Sequence, residues 1–337
     1  MKKLLLLFYS LALVLAGWYG YQFVNKYDNK LVVPEDFVKS RPLDRYNIIQ
    51  LSQYQVLSSY ITLVDIINDT ADFAAYRFRF SSEGKKVTGL IHIPKSDPPE
   101  AGFPVIVQLR GWTPQETYES GTGTRRSAQV FAANGFITLA PDFLGYGGSD
   151  SEPDDAFESR FATYTTVLNL MASIATIPNA DSSRVALWGH SNGGHIALTV
   201  LAITGENYPT SLWAPVTKPF PYSILYYSDE ATDSGKYLRK ILSDFESVYD
   251  VDFYTFTNYL DRIKAPMIIH QGTRDEAVPQ RWTDDFIRKA KAQSISINYY
   301  LYPGAGHNLS GIDNDSWNLV VKRDIEFYRK ELTLVKY

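Results

Sequence analysis

The fold of this chain is decided by the stretch Arg184-Val185-Ala186-Leu187-Trp188-Gly189-His190-Ser191-Asn192-Gly193-Gly194. Residues 184–188 form an apolar run typical of a buried strand, and a helical pattern extends from Ser191 to about Ile203. A GxSxG pattern between a strand and a helix is typical of a sharp turn that exposes the serine hydroxyl. The helix start would direct backbone N–H groups and its positive dipole end at the reacting centre. The alternative is a glycine-rich turn that only closes a strand–helix unit.

Strands and helices alternate on both sides of this turn. Further strands are expected at 74–80, 86–93, 104–109, 136–140, 211–214, 266–270 and 295–302, and further helices at 125–134, 155–177, 280–291 and 315–332. This alternation predicts an α/β fold with a doubly wound, mostly parallel sheet covered by helices on both faces. The long insertion at about 215–262 predicts a helical cap. Reactive loops are expected at the carboxyl ends of the strands.

Two loops that follow later strands supply candidate partners for Ser191. Asp275 comes just after the strand at 266–270, with Glu276 as the fallback acid, and His307 comes just after the strand at 295–302. A serine nucleophile needs a base, and the base needs an acid that orients it. The order serine, acid, histidine along the chain therefore predicts a catalytic triad of Ser191, Asp275 and His307.

The same sheet edge offers donors for a negatively charged tetrahedral intermediate. One candidate is the backbone N–H of Asn192, which directly follows the nucleophile, and the second is the N–H of Trp112, in the loop after the strand at 104–109. Arg110 stands beside Trp112 and either forms a salt bridge, with Asp142 or Glu119, or contacts a substrate carboxylate. His195, one turn into the helix, either packs there or lines the site as a substrate contact.

Composition excludes several classes of protein. The chain has 337 residues, with 33 Lys and Arg against 37 Asp and Glu, and this balance argues against a nucleic-acid partner. The absence of cysteine excludes disulfides, thiolate metal sites and a cysteine nucleophile. The five histidines show neither HxH nor HExxH spacing, so the sequence predicts no metal and no cofactor.

The N-terminal segment predicts an association with the membrane. Residues 4–24 carry no charge and follow Lys2 and Lys3. As a helix they would span roughly 30 Å, the thickness of a bilayer core, so residues 1–24 are expected to form one transmembrane helix that anchors an extracytoplasmic catalytic domain. The alternative is a signal peptide and a secreted protein. We expect a stalk or lead-in at 25–60 and the catalytic domain at 61–337.

These motifs together resemble the α/β-hydrolase superfamily, and most closely the catalytic domain of the prolyl oligopeptidase family of serine peptidases. The resemblance covers about residues 74–332 and rests on four motifs: Ser-Ser-Glu-Gly-Lys-Lys-Val-Thr-Gly at 81–89, Gly-His-Ser-Asn-Gly-Gly at 189–194, Gln-Gly-Thr-Arg-Asp-Glu-Ala-Val-Pro at 271–279 and Gly-Ala-Gly-His at 304–307. It implies that Ser191, Asp275 and His307 are the catalytic triad of a peptidase that acts through an acyl-enzyme on Ser191. The alternatives are a carboxylesterase acting on small acyl esters and a non-catalytic binding module.

The sequence departs from the family pattern in two places. The roughly 50 residues between the N-terminal segment and the catalytic region are too few for the β-propeller of many family peptidases. Family members tend to have Tyr-Gly or His-Gly where this chain has Arg110-Gly111.

In the cap, residues 220–259 contain 11 Phe or Tyr among 40 positions, which either line an apolar pocket or pack the cap onto the body. The sequence leaves the oligomeric state open.

Overall fold

The computed structural model describes residues 40–311 and 315–333. Within them, nine strands form one sheet: β1 (Thr62–Asp69), β2 (Phe73–Ser82), β3 (Lys85–Pro94), β4 (Phe103–Leu109), β5 (Ile137–Pro141), β6 (Ala180–His190), β7 (Thr210–Trp213), β8 (Met267–Gly272) and β9 (Ile297–Tyr302). Their order is β1-β2-β3-β5-β4-β6-β7-β8-β9. Strands β4 to β9 pair in parallel, and β1, β2 and β3 add antiparallel pairs at one edge. The carboxyl ends of the parallel strands therefore meet at one edge of the sheet.

Eight α-helices lie in the described residues: α1 (Ile48–Ser52), α2 (Arg125–Ala133), α3 (Ala156–Ser173), α4 (Asn192–Thr204), α5 (Tyr222–Leu225), α6 (Lys236–Glu246), α7 (Gln280–Ala292) and α8 (Asp315–Thr333). Short 3-10 helices occupy Pro42–Tyr46, Gln115–Thr117, Ile174–Thr176, Ser228–Glu230, Val251–Tyr254 and Phe256–Arg262. The predicted α/β-hydrolase fold with its mostly parallel sheet is confirmed.

The two faces of the sheet carry separate hydrophobic clusters because successive strand residues point to opposite faces. In β4, Val105 and Val107 belong to the cluster that also holds residues of α3, α4 and α7. Ile106, between them, belongs to the cluster formed with α2 and α8. Strand β4 is fully buried, as expected for a central parallel strand covered on both faces.

Aromatic side chains of the cap insertion pack against the body of the domain. The ring of Phe245 in α6 lies 5.0 Å from that of Phe157 in α3, and the ring of Tyr254 lies 5.0 Å from that of Phe161. Phe220 packs edge-on against the same two rings of α3. Of the two explanations for the aromatic-rich cap, packing onto the body accounts for these buried rings.

One part of the predicted fold class is wrong. The sequence placed a transmembrane helix in front of the catalytic domain, but no helix in the described ranges is both long and apolar enough to cross a bilayer. The long helix α8 carries Lys322, Arg323 and Asp324 in its middle, which a bilayer core would not accommodate. The segment 1–24 itself lies outside the described residues.

Residues Leu43–Tyr337 form one compact unit, whereas almost all of the other unit, Met1–Pro42, lies outside the described residues. Leu43, Tyr46 and Ile48 are buried in the large hydrophobic cluster, so the lead-in packs on the domain from its first described apolar side chains. The limits proposed for the stalk, the catalytic domain and the cap stay predictions.

Candidate active site

Ser191 is held in a sharp turn between β6 and α4. Its backbone φ of 55° and ψ of −120° lie in a region that L-residues with a side chain rarely adopt. The Ser191 N–H donates to the carbonyl of Trp213 at 3.0 Å, and the Ser191 carbonyl accepts from the N–H groups of Gly194 and Val216, each at 3.0 Å. These bonds to the helix start, to β7 and to the loop after β7 maintain a conformation that is strained in isolation.

Gly193 allows the first turn of α4 to lie directly against the end of β4. A Cβ atom at this position would overlap the backbone carbonyl of Leu109, which cannot move aside because it belongs to a buried strand. The first N–H groups of α4 have no acceptor within the helix. Of these, the Gly194 N–H donates to the Ser191 carbonyl. The N–H of Asn192, the first residue of α4, is the donor that the sequence predicts beside that of Trp112 in the loop after β4.

His307 and Asp275 are brought together as the sequence predicted. The Nδ1 atom of His307 lies 3.0 Å from Oδ1 and 3.1 Å from Oδ2 of Asp275. The Asp275 carboxylate also accepts from the backbone N–H groups of Ala277 and Val278 at 2.9 and 2.8 Å and from Nε2 of Gln271 at 2.8 Å. Within the described residues, Glu276 accepts from the backbone N–H of His307 alone, at 3.4 Å, so Asp275 is the carboxylate that contacts the imidazole.

The hydrogen bond to Asp275 fixes the tautomer of His307. Burial raises the pKa of Asp275, but the hydrogen bond from His307 and the backbone N–H groups outweigh it, and the pKa is lowered overall. An ionised carboxylate only accepts hydrogen bonds, so the imidazole carries its proton on Nδ1. Its Nε2 atom then keeps the lone pair with which a base takes a proton.

His190 connects the loop of His307 to the serine turn. Its Nε2–H donates to the backbone carbonyl of His307 at 3.1 Å, and the two imidazole rings are 4.7 Å apart. Burial lowers the pKa of His190 to about 4, and the charge of the nearby His307 lowers it in the same direction. His190 is therefore neutral near pH 7. Sequence reasoning gave His190 no role, because only the fold shows that the residue before Ser191 touches the loop after β9.

Gly111 brings the loop after β4 against Ser191. A Cβ atom on Gly111 would lie 3.1 Å from Cβ of Ser191, which is closer than side chains normally pack. The backbone carbonyl of Gly111 accepts a hydrogen bond from Nη1 of Arg110 at 2.9 Å. Because a peptide unit is planar, with C=O and N–H on opposite sides, this bond fixes the direction of the Trp112 N–H. Arg110 therefore holds the peptide whose N–H is a candidate oxyanion donor.

The Arg110 side chain sits in a cage of aromatic rings and does not form the salt bridge considered from the sequence. The guanidinium carbon lies 4.0 Å from the ring centre of Tyr146 and 4.5 Å from that of Tyr118. Its Nη2 atom donates to the backbone carbonyl of Asp142, at 3.2 Å, rather than to the carboxylate. The Asp142 carboxylate instead accepts from the hydroxyl groups of Thr88, Tyr118 and Ser120.

A cavity of about 300 Å³ opens beside the serine turn. Its wall includes Arg110, Trp112 and Asn192, together with residues of α3 such as Arg160 and Thr163. No residue of the cap insertion, about 215–262, lines it. This size falls at the small end of ligand pockets, which suits one short substituent of a substrate.

His195 lies outside this cavity. It is 1% exposed, its Nδ1–H donates to the carbonyl of Val216 at 3.2 Å, and its ring packs edge-on against Phe256. This contact assigns His195 to the packing alternative and leaves no accessible surface for a substrate. Trp112, in contrast, is 73% exposed at the mouth of the cavity.

The chain is similar to a known protein family and to one of its curated relatives. Residues 122–334 match the model of the prolyl oligopeptidase family. A curated relative, dipeptidyl aminopeptidase BIII of Pseudoxanthomonas mexicana, is 23% identical over 260 residues, which are 70% of this chain and 35% of the relative. The chain thus spans about a third of the length of that relative.

Two solved structures share the fold. Acetyl xylan esterase 1 from Thermoanaerobacterium sp. JW/SL YS485 aligns with a TM-score of 0.60 and 18% identity, covering 88% of this chain and 94% of the esterase. Acylaminoacyl peptidase of Pyrococcus horikoshii aligns with a TM-score of 0.60 and 18% identity, covering 79% of this chain and 43% of the peptidase. Both a peptidase and an esterase therefore share this arrangement of strands and helices.

Proposed function

The chain belongs to the prolyl oligopeptidase family, and we propose that it is a serine hydrolase of peptidase type with Ser191, His307 and Asp275 as its triad. The observation that carries the proposal is the hydrogen bond between Nδ1 of His307 and the ionised Asp275. His190, next to Ser191, donates to the backbone carbonyl of His307 and so connects the loop of His307 to the serine turn. These contacts support an oriented base on a loop that is connected to the strained turn of Ser191.

The chemistry follows from these positions. Nε2 of His307 takes the hydroxyl proton of Ser191 while Oγ attacks the substrate carbonyl. The negative oxygen that forms is stabilised by the N–H groups of Asn192 and Trp112. The imidazolium returns its proton to the leaving amine or alcohol as that bond breaks, which leaves an acyl-enzyme. Water, deprotonated by His307, then releases the acid and restores Ser191.

A carboxylesterase is the second candidate, and the position of Arg110 favours it. Its guanidinium is engaged with the carbonyls of Gly111 and Asp142, so the developing oxyanion is left with two backbone donors. Family members with tyrosine at this position gain a hydroxyl donor. Esters need less stabilisation than amides because an alkoxide or phenolate leaves more readily than an amine.

A direct assay separates the two candidates. We expect the protein to release nitroaniline from aminoacyl or dipeptidyl p-nitroanilides and nitrophenol from short p-nitrophenyl esters, and Ser191→Ala to abolish both. Turnover of esters alone would reject the peptidase and retain the triad. Activity that survives Ser191→Ala would reject both.

We also propose that the catalytic domain acts outside the cytoplasm. The support is the sequence of residues 1–24, in which two lysines precede an uncharged apolar stretch of the kind that directs chains to export. Alkaline phosphatase fused after residue 60 should be active in cells, since that enzyme works only after export from the cytoplasm. An inactive fusion, with a cytoplasmic control reporter active at the same junction, would reject this location.

A further inference from the structure

The cavity beside Asn192 carries an excess of positive charge. Two guanidinium groups, those of Arg110 and Arg160, belong to its wall, against the single carboxylate of Glu152. Across residues 40–311 and 315–333, neither arginine forms an ion pair with a carboxylate. The Nε atoms of both are buried and have no hydrogen-bond acceptor.

The carboxylates near the cavity are occupied by neutral donors. Glu152 accepts from Nε2 of Gln115 at 2.8 Å and from the hydroxyl of Ser159. Asp142 is buried under Arg110, and its charge together with the ring faces of the cage compensates that guanidinium. Arg160 has no equivalent partner in the described residues. A partly buried cation without a counter-ion is costly, and an anionic ligand would remove that cost.

The positive charge of Arg160 acts on the buried imidazole of His195. Burial is the main cause that lowers the pKa of His195 to about 3, and the positive charge of Arg160 is the second. Arg160 belongs to the second turn of α3, the helix that forms one wall of the cavity. Arg160 therefore lies close enough to α4 for its charge to act on a side chain of that helix.

The lining residues also indicate which half of the substrate the cavity receives. Asn192 and Trp112, the candidate oxyanion donors, belong to the wall, whereas His307 and Asp275 do not. In the proposed reaction His307 delivers a proton to the leaving group, which must therefore lie on the histidine side. The acyl part of the substrate then lies on the side of the cavity.

We propose that this cavity binds the acyl part of the substrate and that Arg160 pairs there with a carboxylate, so that the preferred acyl group is acidic, such as a glutamyl or aspartyl residue. The cavity volume of about 300 Å³ suits a side chain of that length. The proposal rests on the proposed acyl transfer at Ser191.

Glutamate and glutamine substrates test it because they differ in charge at nearly equal shape. We expect kcat/KM for the N-acetylglutamyl thiobenzyl ester to exceed that for the N-acetylglutaminyl ester roughly 10- to 100-fold, the range for a hydrogen bond to a charged group. Arg160→Gln should bring the ratio close to one, and Arg160→Lys should retain part of it. Arg288→Gln, an exposed arginine on α7, should keep the full ratio.

A binding measurement keeps the inference separate from catalysis. Titration calorimetry with the products should show N-acetylglutamate binding about tenfold or more tightly than N-acetylglutamine, and Arg160→Gln should remove the difference. Equal binding of the two products, or a glutamate preference unchanged in Arg160→Gln, would overturn the proposal. If neither ester is hydrolysed, the acyl transfer proposal fails, and the product titration alone decides the charge preference of the cavity.

Discussion

Replacing Arg110 by methionine tests whether this residue positions the oxyanion donor. Methionine keeps an apolar stem for the rings of Tyr118 and Tyr146 and removes both guanidinium hydrogen bonds, to the carbonyls of Gly111 and Asp142. Without the 2.9 Å bond to its carbonyl, the Gly111–Trp112 peptide is free to rotate, and the Trp112 N–H no longer keeps one direction.

The size of the effect follows from the role of one donor. Removing a whole oxyanion donor typically costs about 10²- to 10³-fold in kcat. Arg110→Met leaves the N–H in place but not fixed, so we expect a loss of about 10- to 100-fold in kcat, or roughly 1.4 to 2.8 kcal/mol in the barrier. KM should change little, because the donor acts on charge that develops only in the transition state. Arg110→Lys should lie between, since one ammonium cannot reproduce both bonds of the planar guanidinium.

The assay combines ester kinetics with inhibition by a peptidyl trifluoromethyl ketone, whose adduct with Ser191 carries the oxyanion. The ketone should lose affinity by about the same factor as kcat/KM, whereas a substrate-like competitive inhibitor without a reactive carbonyl should not. Thermal unfolding identifies variants that merely lose stability. An Arg110→Met protein with lowered stability but unchanged kcat and ketone affinity would refute the positioning role.

Three further predictions concern stability and pH. First, because folding lowers the pKa of Asp275, its contribution to stability is present above the unfolded pKa of 3.8 and is lost as the pH falls below that value. In urea titrations, the free energy of unfolding should therefore fall less on acidification for Asp275→Asn than for the parent protein. Second, folding lowers the pKa of His190 from 6.5 to about 4 and that of His195 from 6.5 to about 3, so the free energy of unfolding should fall as the pH drops from 6.5 towards 4. His195→Gln should make this slope shallower, and an unchanged slope would contradict the lowered pKa of His195. Third, the buried Asp324 carboxylate accepts from Ser211, Trp213 and His270 at 2.7 to 2.8 Å, so Asp324→Ala should lower the free energy of unfolding by about 3 to 5 kcal/mol. Asp285→Ala, which removes a partly exposed carboxylate, should change it by less than about 0.5 kcal/mol, and comparable effects in chemical denaturation would argue against the network.

The sequence predicted the order and place of the candidate triad because that order follows from the strand sequence. Asp275 and His307 each follow a parallel strand, and the loops after neighbouring parallel strands meet at one sheet edge. Strand β1 was not predicted, because its side chains are largely exposed on both faces and it pairs with β2 through backbone bonds that need no apolar alternation.

The surroundings of Arg110 and Arg160 were beyond sequence reasoning for a different reason. The cage around Arg110 is built by Tyr118 and Tyr146, from two separate loops, and no local pattern links them to it. The lack of a carboxylate partner for Arg160 is likewise a property of the folded cavity. The sequence therefore identified Arg110 as unusual but considered only ion pairs for it.

The central claim, an acyl transfer through Ser191 with His307 as its base, is tested most directly by mapping a fluorophosphonate adduct. Mass spectrometry of the digested protein should find the phosphonate on the peptide that contains Ser191. The adduct should be absent in Ser191→Ala and should form at least about 10³-fold more slowly in His307→Ala. An adduct on any other residue, or labelling of Ser191 at an unchanged rate without His307, would contradict the account.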